Sequence, residues 1–263
     1  MFQLIKSYFT FVWQSKNQHG IHSPFVFDLV TKCLYDKVDY IEYGFLENYR
    51  KSLLANKNDI DVRDFGAGSR VFKSNKRQIS KIAKTAGISE KRAKLLFRVV
   101  QYFQPKSILE IGTSLGLATA ALSLGNKKAI IITLEGCPNT LSIAKKAFDA
   151  SSFELHESKV EFLNTEFLSY LKTNNKQPTT NNLIYIDGNH TEAATLEYFE
   201  LLLPTATNDS VWIFDDIHWS TGMELAWKTI QNHPKVTITI DTFQWGIVFF
   251  RSEQTKQNFV IRL

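Results

Sequence analysis

The sequence predicts a doubly wound α/β domain: a mainly parallel seven-stranded sheet with one antiparallel strand, preceded by a helical N-terminal extension. Three observations carry this reading. From Ser107 onward, short apolar runs alternate with helical patterns, as they do where a parallel sheet is covered on both faces. The first run leads into Glu110-Ile111-Gly112-Thr113-Ser114-Leu115-Gly116 and then an alanine-rich stretch, which reads as a buried strand, a tight turn and a helix start. The last two runs, Val236–Phe243 and Trp245–Arg251, have almost no connection between them, so they pair antiparallel.

Residues 1–105 read as the helical extension and 106–263 as the α/β domain. At the N-terminus Phe2, Ile5, Phe9 and Val12 recur at helical spacing, and no small-residue cleavage site follows. An amphipathic helix is therefore expected, not a signal peptide. Its aromatic face is expected to pack on the domain or a partner subunit in preference to a membrane surface. Ser23-Pro24 opens a helix running to about Tyr35, with proline at its first position. Tyr40–Ala55, Gln78–Ala86 and Ser89–Gln104 are further helical patterns, the last capped by Ser89. Beyond them the expected strands are Ser107–Ile111, Ala129–Leu134, Val160–Leu163, Leu183–Ile186 and Val211–Phe214. The helices between and after them are Leu115–Leu124, Pro138–Ala150, Glu166–Lys172, Glu192–Leu203 and Thr221–Asn232.

Composition narrows the function classes. The chain has 263 residues, 44% hydrophobic and 22% charged, which excludes global disorder. A net charge of +5 permits an anionic partner without requiring one. The two cysteines, Cys33 and Cys137, have no zinc spacing and suit a reducing compartment, so a cytoplasmic location is expected. No apolar run approaches the ~20 residues of a membrane span. Lys73–Lys106 is strongly basic with only Glu90 against it. It reads as a solvated helical surface, with a nucleic-acid face as the alternative. His19 and His22 have no acid or cysteine beside them and read as helix-entry hydrogen-bonding groups. Asp64–Arg70 reads as a turn, with a loop over an active-site mouth as the alternative.

In a sheet of this kind ligands bind at the carboxyl ends of the strands. The first strand ends in Glu110-x-Gly112 and the second in Glu135-Gly136, where an acid can accept hydrogen bonds from ribose hydroxyls. The third ends in Asn164-Thr165-Glu166-Phe167, a polar group and an aromatic that could meet an adenine. The fourth ends in Asp187-Gly188-Asn189-His190 and the fifth in Asp215-Asp216-Ile217-His218. Ser114 stands where a dinucleotide fingerprint wants its second glycine, and no Gly-Lys-Ser/Thr of a phosphate loop occurs.

From about Ala93 to Arg251 this order resembles the class I S-adenosylmethionine-dependent methyltransferases. Leu109-Glu110-Ile111-Gly112-Thr113-Ser114-Leu115-Gly116 and Ile186–His190 resemble the small-molecule O-methyltransferase branch, which includes the catechol and caffeoyl-CoA enzymes. The whole pattern, with His19–Phe27, is similar to a bacterial group within that branch. The resemblance implies a Rossmann-like fold, S-adenosyl-L-methionine as cofactor and methyl transfer to an oxygen of a small-molecule acceptor. It implies Glu110, Gly112, Thr113, Ser114, Gly116, Glu135, Glu166 and Asp187 as cofactor-binding residues. Thr165-Glu166 stand where the family usually carries glycine or aspartate. It further implies Asp187, Asp215 and Asp216 as ligands of Mg²⁺ or another divalent cation, an ion suited to oxygen donors and able to acidify a bound hydroxyl.

His190 stands where the catechol enzymes place a lysine base. Beside Asp187 it is the expected catalytic group, neutral near pH 7 and able to take the hydroxyl proton. A loop histidine bonding nearby backbone is the alternative, and His218 is a weaker candidate for the same work. Trp212 reads as core, and Trp219, Trp227 and Trp245 as aromatic packing or a substrate wall. Two other functions stay open: a nucleic-acid methyltransferase using the basic helices, and a non-catalytic module that binds the cofactor or a partner. A homodimer also stays open.

Overall fold

The computed structural model describes residues 2–63, 74–151, 158–174 and 182–263. The expected turn at Asp64–Arg70 lies outside the described residues. Helices α1 to α5 span Phe2–Gln14, Pro24–Leu29, Glu42–Ala55, Ile79–Thr85 and Glu90–Phe103. Helices α6 to α10 span Leu117–Gly125, Pro138–Asp149, Phe167–Asn174, Glu192–Leu202 and Thr221–Asn232. Strands β1 to β5 are Asp59–Asp61, Lys76–Gln78, Ser107–Ile111, Ile130–Glu135 and Lys159–Asn164. Strands β6 to β10 are Leu183–Ile186, Val211–Asp215, Ile238–Asp241, Trp245–Phe249 and Gln257–Val260. The chain divides into two compact units, Asp36–Phe167 and Met1–Tyr35 with Leu168–Leu263.

In the unit Asp36–Phe167, β3 pairs with β4 and β4 with β5, all parallel. Ile108, Leu109, Ile111, Ile131 and Leu134 are buried along the first two of these strands. Helix α5 turns Ala93, Leu96, Phe97 and Val100 inward, at helical spacing i, i+3, i+4 and i+7. It lies close against α6, whose nine residues are all buried. The approach needs Gly125, because a Cβ there would stand 2.6 Å from Val100 Cβ. Helix α3 adds Tyr43, Leu46, Tyr49 and Leu53 to the same core. Ser89 caps α5 as expected, its Oγ accepting from the Arg92 N–H at 3.3 Å. The charged Asp59–Arg63 stretch is no core strand: β1 pairs antiparallel with β2 at the surface. Lys76, Lys81, Lys84 and Lys91 are exposed, whereas Lys94 is tied to Glu47 at 2.9 Å and Glu90 at 2.7 Å.

In the second unit β6 and β7 are parallel, β9 runs antiparallel to both β7 and β8, and β10 lies parallel to β8. The antiparallel strand is the one expected, but β10 is an addition to the predicted seven. Its first residues, Gln257 and Asn258, are exposed and polar, so no apolar run announced it. Helix α2 begins as predicted, with Ser23 Oγ accepting from the Val26 N–H at 3.4 Å and Pro24 at its first position. It does not continue regularly to Tyr35: residues 30–34 widen into a π-turn, and the Tyr35 N–H reaches Val30 O at 2.8 Å.

Helix α1 is docked on this unit. Gln3 Nε2 donates to Glu224 Oε2 at 2.9 Å, and the Ser7 hydroxyl bonds the same carboxylate. Phe11 is buried, its ring centroid 5.4 Å from that of Phe243. Of the face expected to pack on the domain or a partner subunit, Ile5 and Phe9 are not covered by the domain: with Trp13 they lie on the opposite side of the helix and point outward. Among the described residues, no helix is long and apolar enough to cross a membrane.

Candidate functional site

The β3–α6 turn is built around a buried carboxylate. Glu110 is fully buried, and its Oε2 accepts from the hydroxyls of Thr119 and Thr133, each at 2.6 Å. Thr133 also bonds Thr113 Oγ1 at 2.5 Å. The N–H groups of Gly112 and Thr113 both donate to Leu134 O at 3.0 Å, drawing the turn onto β4. Gly112, Ser114 and Gly116 all have positive φ, at 105°, 48° and 78°. At Ser114 this costs on the order of 1–3 kcal/mol, the kind of strain that collects at functional sites. At Gly116 a Cβ would also meet Tyr49 Oη at 2.6 Å. That hydroxyl donates to Leu115 O at 2.9 Å. Burial pushes the Tyr49 phenol well above its ordinary pKa.

Glu135 closes the arrangement from the end of β4. Its Oε2 accepts from the Ser114 N–H and its Oε1 from the Cys137 N–H, both at 2.9 Å. Asn164, its register partner on β5, donates to Glu135 O at 2.8 Å and Gly136 O at 3.1 Å. Glu166 is exposed just beyond. Glu110, Gly112, Thr113, Ser114, Gly116 and Glu135 thus form one bonded group within this unit. Sequence reasoning missed Thr119, Thr133 and Tyr49. A threonine inside the apolar run Ile130–Leu134 was the available signal, since a hydroxyl buried there must find a partner.

The second unit holds the other candidates. Tyr185 Oη stands 3.3 Å from both Asp187 Oδ2 and Asp215 Oδ2. Asp215 is buried, and its Oδ1 accepts from the Asp216 N–H at 2.8 Å. His190 Nε2 lies 3.4 Å from Asp187 Oδ1. Burial pulls the His190 pKa down, but the bond to Asp187 and the charges of Asp187, Asp216 and Asp215 outweigh it and raise the pKa to about 9. The expectation of a neutral imidazole near pH 7 is therefore corrected: three carboxylates hold it protonated. Asn189 and Asp216, after β6 and β7, have φ of 51° and 53°.

The expected cation set does not assemble. Among the described residues, no group of three or more His, Cys, Asp or Glu side chains is arranged to hold a metal ion. Asp215 bonds Tyr185 and the Asp216 backbone N–H, and Asp187 is engaged by Tyr185 and His190. His218 is clamped between Glu224 at 3.0 Å and Asp241 at 2.9 Å and stacks on Phe243, so it is a structural ion-pair partner. Trp212, Trp227 and Trp245 are buried packing residues, and Trp227 lies over Gly246, where a Cβ would meet it at 2.5 Å.

Residues 109–217 match the family model of a methyltransferase domain. No curated protein matches the chain. Solved structures do. The O-methyltransferase of Bacillus cereus, in complex with SAH, is 18% identical, with a TM-score of 0.55 over 84% of this chain and 94% of its own. A SAH-bound methyltransferase of Podospora anserina is 13% identical, with a TM-score of 0.56 over 88% of this chain and 97% of its own. An O-methyltransferase of Streptomyces achromogenes involved in tomaymycin synthesis, in complex with SAM, is 18% identical, with a TM-score of 0.52 over 64% of this chain and 82% of its own. Residues 109–217 are thus similar to a methyltransferase domain, and the chain shares the Rossmann-like fold of these solved methyltransferases.

Proposed function

We propose that the chain transfers the methyl group of S-adenosylmethionine to an oxygen of a small-molecule acceptor. The β3–α6 turn carries this reading: three positive-φ residues open the backbone to a ligand, and a carboxylate is fastened beside them. Gly112, Thr113, Ser114 and Gly116 would receive the cofactor against the main chain. Glu135, fastened by the Ser114 and Cys137 N–H groups at the end of β4, would present its carboxylate to ribose hydroxyls. Glu110 acts as a positioning residue through Thr119 and Thr133. Glu166 and Asp187 complete the proposed cofactor set.

The bound cofactor supplies a methyl group already activated on a sulfonium. What remains for the chain is alignment and a proton. His190, in its neutral form, would accept the acceptor hydroxyl's proton as the oxygen–carbon bond forms and the carbon–sulfur bond breaks, with Asp187 orienting the ring. Asp187 and Asp215 bond Tyr185, His190 and the Asp216 N–H, and no step of this reading is routed through a cation. Residues 1–105 are read as an extension supplying acceptor or subunit contacts and 106–263 as the cofactor-binding domain. Cys33 and Cys137 are buried thiols outside any disulfide, which supports a cytoplasmic setting.

Calorimetry with S-adenosylhomocysteine tests the cofactor, and a labelled methyl donor with cell extract and mass spectrometry identifies the acceptor. Tight NADH binding without affinity for S-adenosylhomocysteine would sink the reading. The exposed lysines of the basic stretch favour a second reading, nucleic acid as acceptor, which strongly salt-dependent RNA binding would support.

A further inference from the structure

We propose that α1 seats the protein on the surface of an anionic lipid bilayer. The polarity of this helix is inverted relative to its body. It docks through Gln3, Ser7 and Phe11, whereas Ile5, Phe9 and Trp13, at i, i+4 and i+8, are 49%, 69% and 85% exposed. Tyr8 is half exposed at the edge of the same stripe. A surface helix ordinarily turns its apolar stripe to the core, so this one is built to be covered from outside.

Charge selects the occupant. No Asp or Glu occurs before Asp28, and Lys6 and Lys16 are both exposed. Two lysines around an aromatic and aliphatic stripe are the composition of a helix lying in the plane of a membrane interface. Tyr and Trp prefer that headgroup level. A second copy of the chain fits less well. Thirteen residues of helix extend only about 20 Å, and one face of such a helix falls short of the roughly 800 Å² per partner of a stable interface. Two-fold pairing would also bring like charges of the two copies together. The helix is held by bonds to Glu224 and by Phe243, so the stripe is presented without a folding step.

The test is co-sedimentation of the full chain with vesicles of phosphatidylcholine alone and of phosphatidylcholine mixed with phosphatidylglycerol. The chain should pellet with the mixed vesicles, stay in solution with the neutral ones and be released by salt. Phe9→Glu with Trp13→Glu should abolish pelleting while circular dichroism and thermal unfolding stay unchanged, since both side chains are exposed. Lys6→Gln should weaken binding about fivefold. Failure to pellet with either vesicle overturns the proposal. So does a concentration-dependent dimer in sedimentation velocity that the double variant dissolves, which would give the face to a second copy.

Discussion

The N–H of Ser114 donates to Oε2 of Glu135 across 2.9 Å. The acid ending β4 is thereby fastened to the turn ending β3, and a left-handed serine is held in place by a charged acceptor. Glu135→Ala should lower S-adenosylhomocysteine affinity by roughly 1.5–3 kcal/mol, the worth of hydrogen bonds to a charged group. Glu135→Gln, which keeps an acceptor, should lose less. Calorimetry on both variants decides it, and unchanged affinity in Glu135→Ala would remove the residue from the cofactor set.

Gly116 combines a φ of 78° with a Tyr49 hydroxyl 2.6 Å from where a Cβ would stand. Gly116→Ala should therefore cost stability and cofactor affinity together. Adding Tyr49→Phe should relieve the steric part and leave the backbone strain, so the double variant should recover part of the loss. Chemical denaturation of the single and double variants separates the two contributions.

Three carboxylates raise the His190 pKa to about 9, so a base at this position must be deprotonated before it works. The methyl-transfer rate should climb with pH and level off near that value. Asp187→Asn removes the strongest raising influence and should move the rise to lower pH. His190→Ala should reduce the rate about 10²–10⁴-fold, the share of a positioned base. A flat profile across this range with near-normal turnover in His190→Ala would demote it to a loop residue.

Asp187 and Asp215 are engaged with Tyr185, His190 and the Asp216 N–H, and no metal-holding group of three or more His, Cys, Asp or Glu occurs among the described residues. Turnover should accordingly persist in chelator and show no response to added Mg²⁺ or Mn²⁺. Loss of activity in chelator with recovery on Mg²⁺ would mean that these side chains rearrange to take up an ion.

Burial pulls the His218 pKa down, yet Asp241 and Glu224 more than offset it and leave it raised. The unfolded value is about 6.5. A raised folded pKa contributes stability that is complete below about pH 6.5 and is lost as pH rises through the folded value. His218→Asn should thus destabilise the protein most on the acid side of neutrality, by roughly 1.5–3 kcal/mol, and progressively less in alkali. Urea midpoints for both proteins across pH measure this. A difference independent of pH would show that packing on Phe243, not charge, is what the ring supplies.

The alternation of apolar runs and helical patterns after Ser107 determined the strands, their parallel order and the single antiparallel strand, because burial on two faces imposes that period on the residues themselves. Ser23-Pro24 and Ser89 likewise declared their helix starts, since a cap is a local bond. The glycine turn was legible because positive φ at Gly112 and Gly116 demands a residue type. Tertiary structure decided the rest. Only the pairing of β10 with β8 makes a strand of Gln257–Val260, whose polar start carries no apolar signal. Thr133 became the brace of Glu110 because strand pairing brought them together, and the raised pKa of His190 sums charges from the ends of two strands far apart in the chain. The repeat Phe2-Ile5-Phe9-Val12 marked an amphipathic helix, but which of its faces met the protein depended on Glu224 and Phe243, more than two hundred residues away.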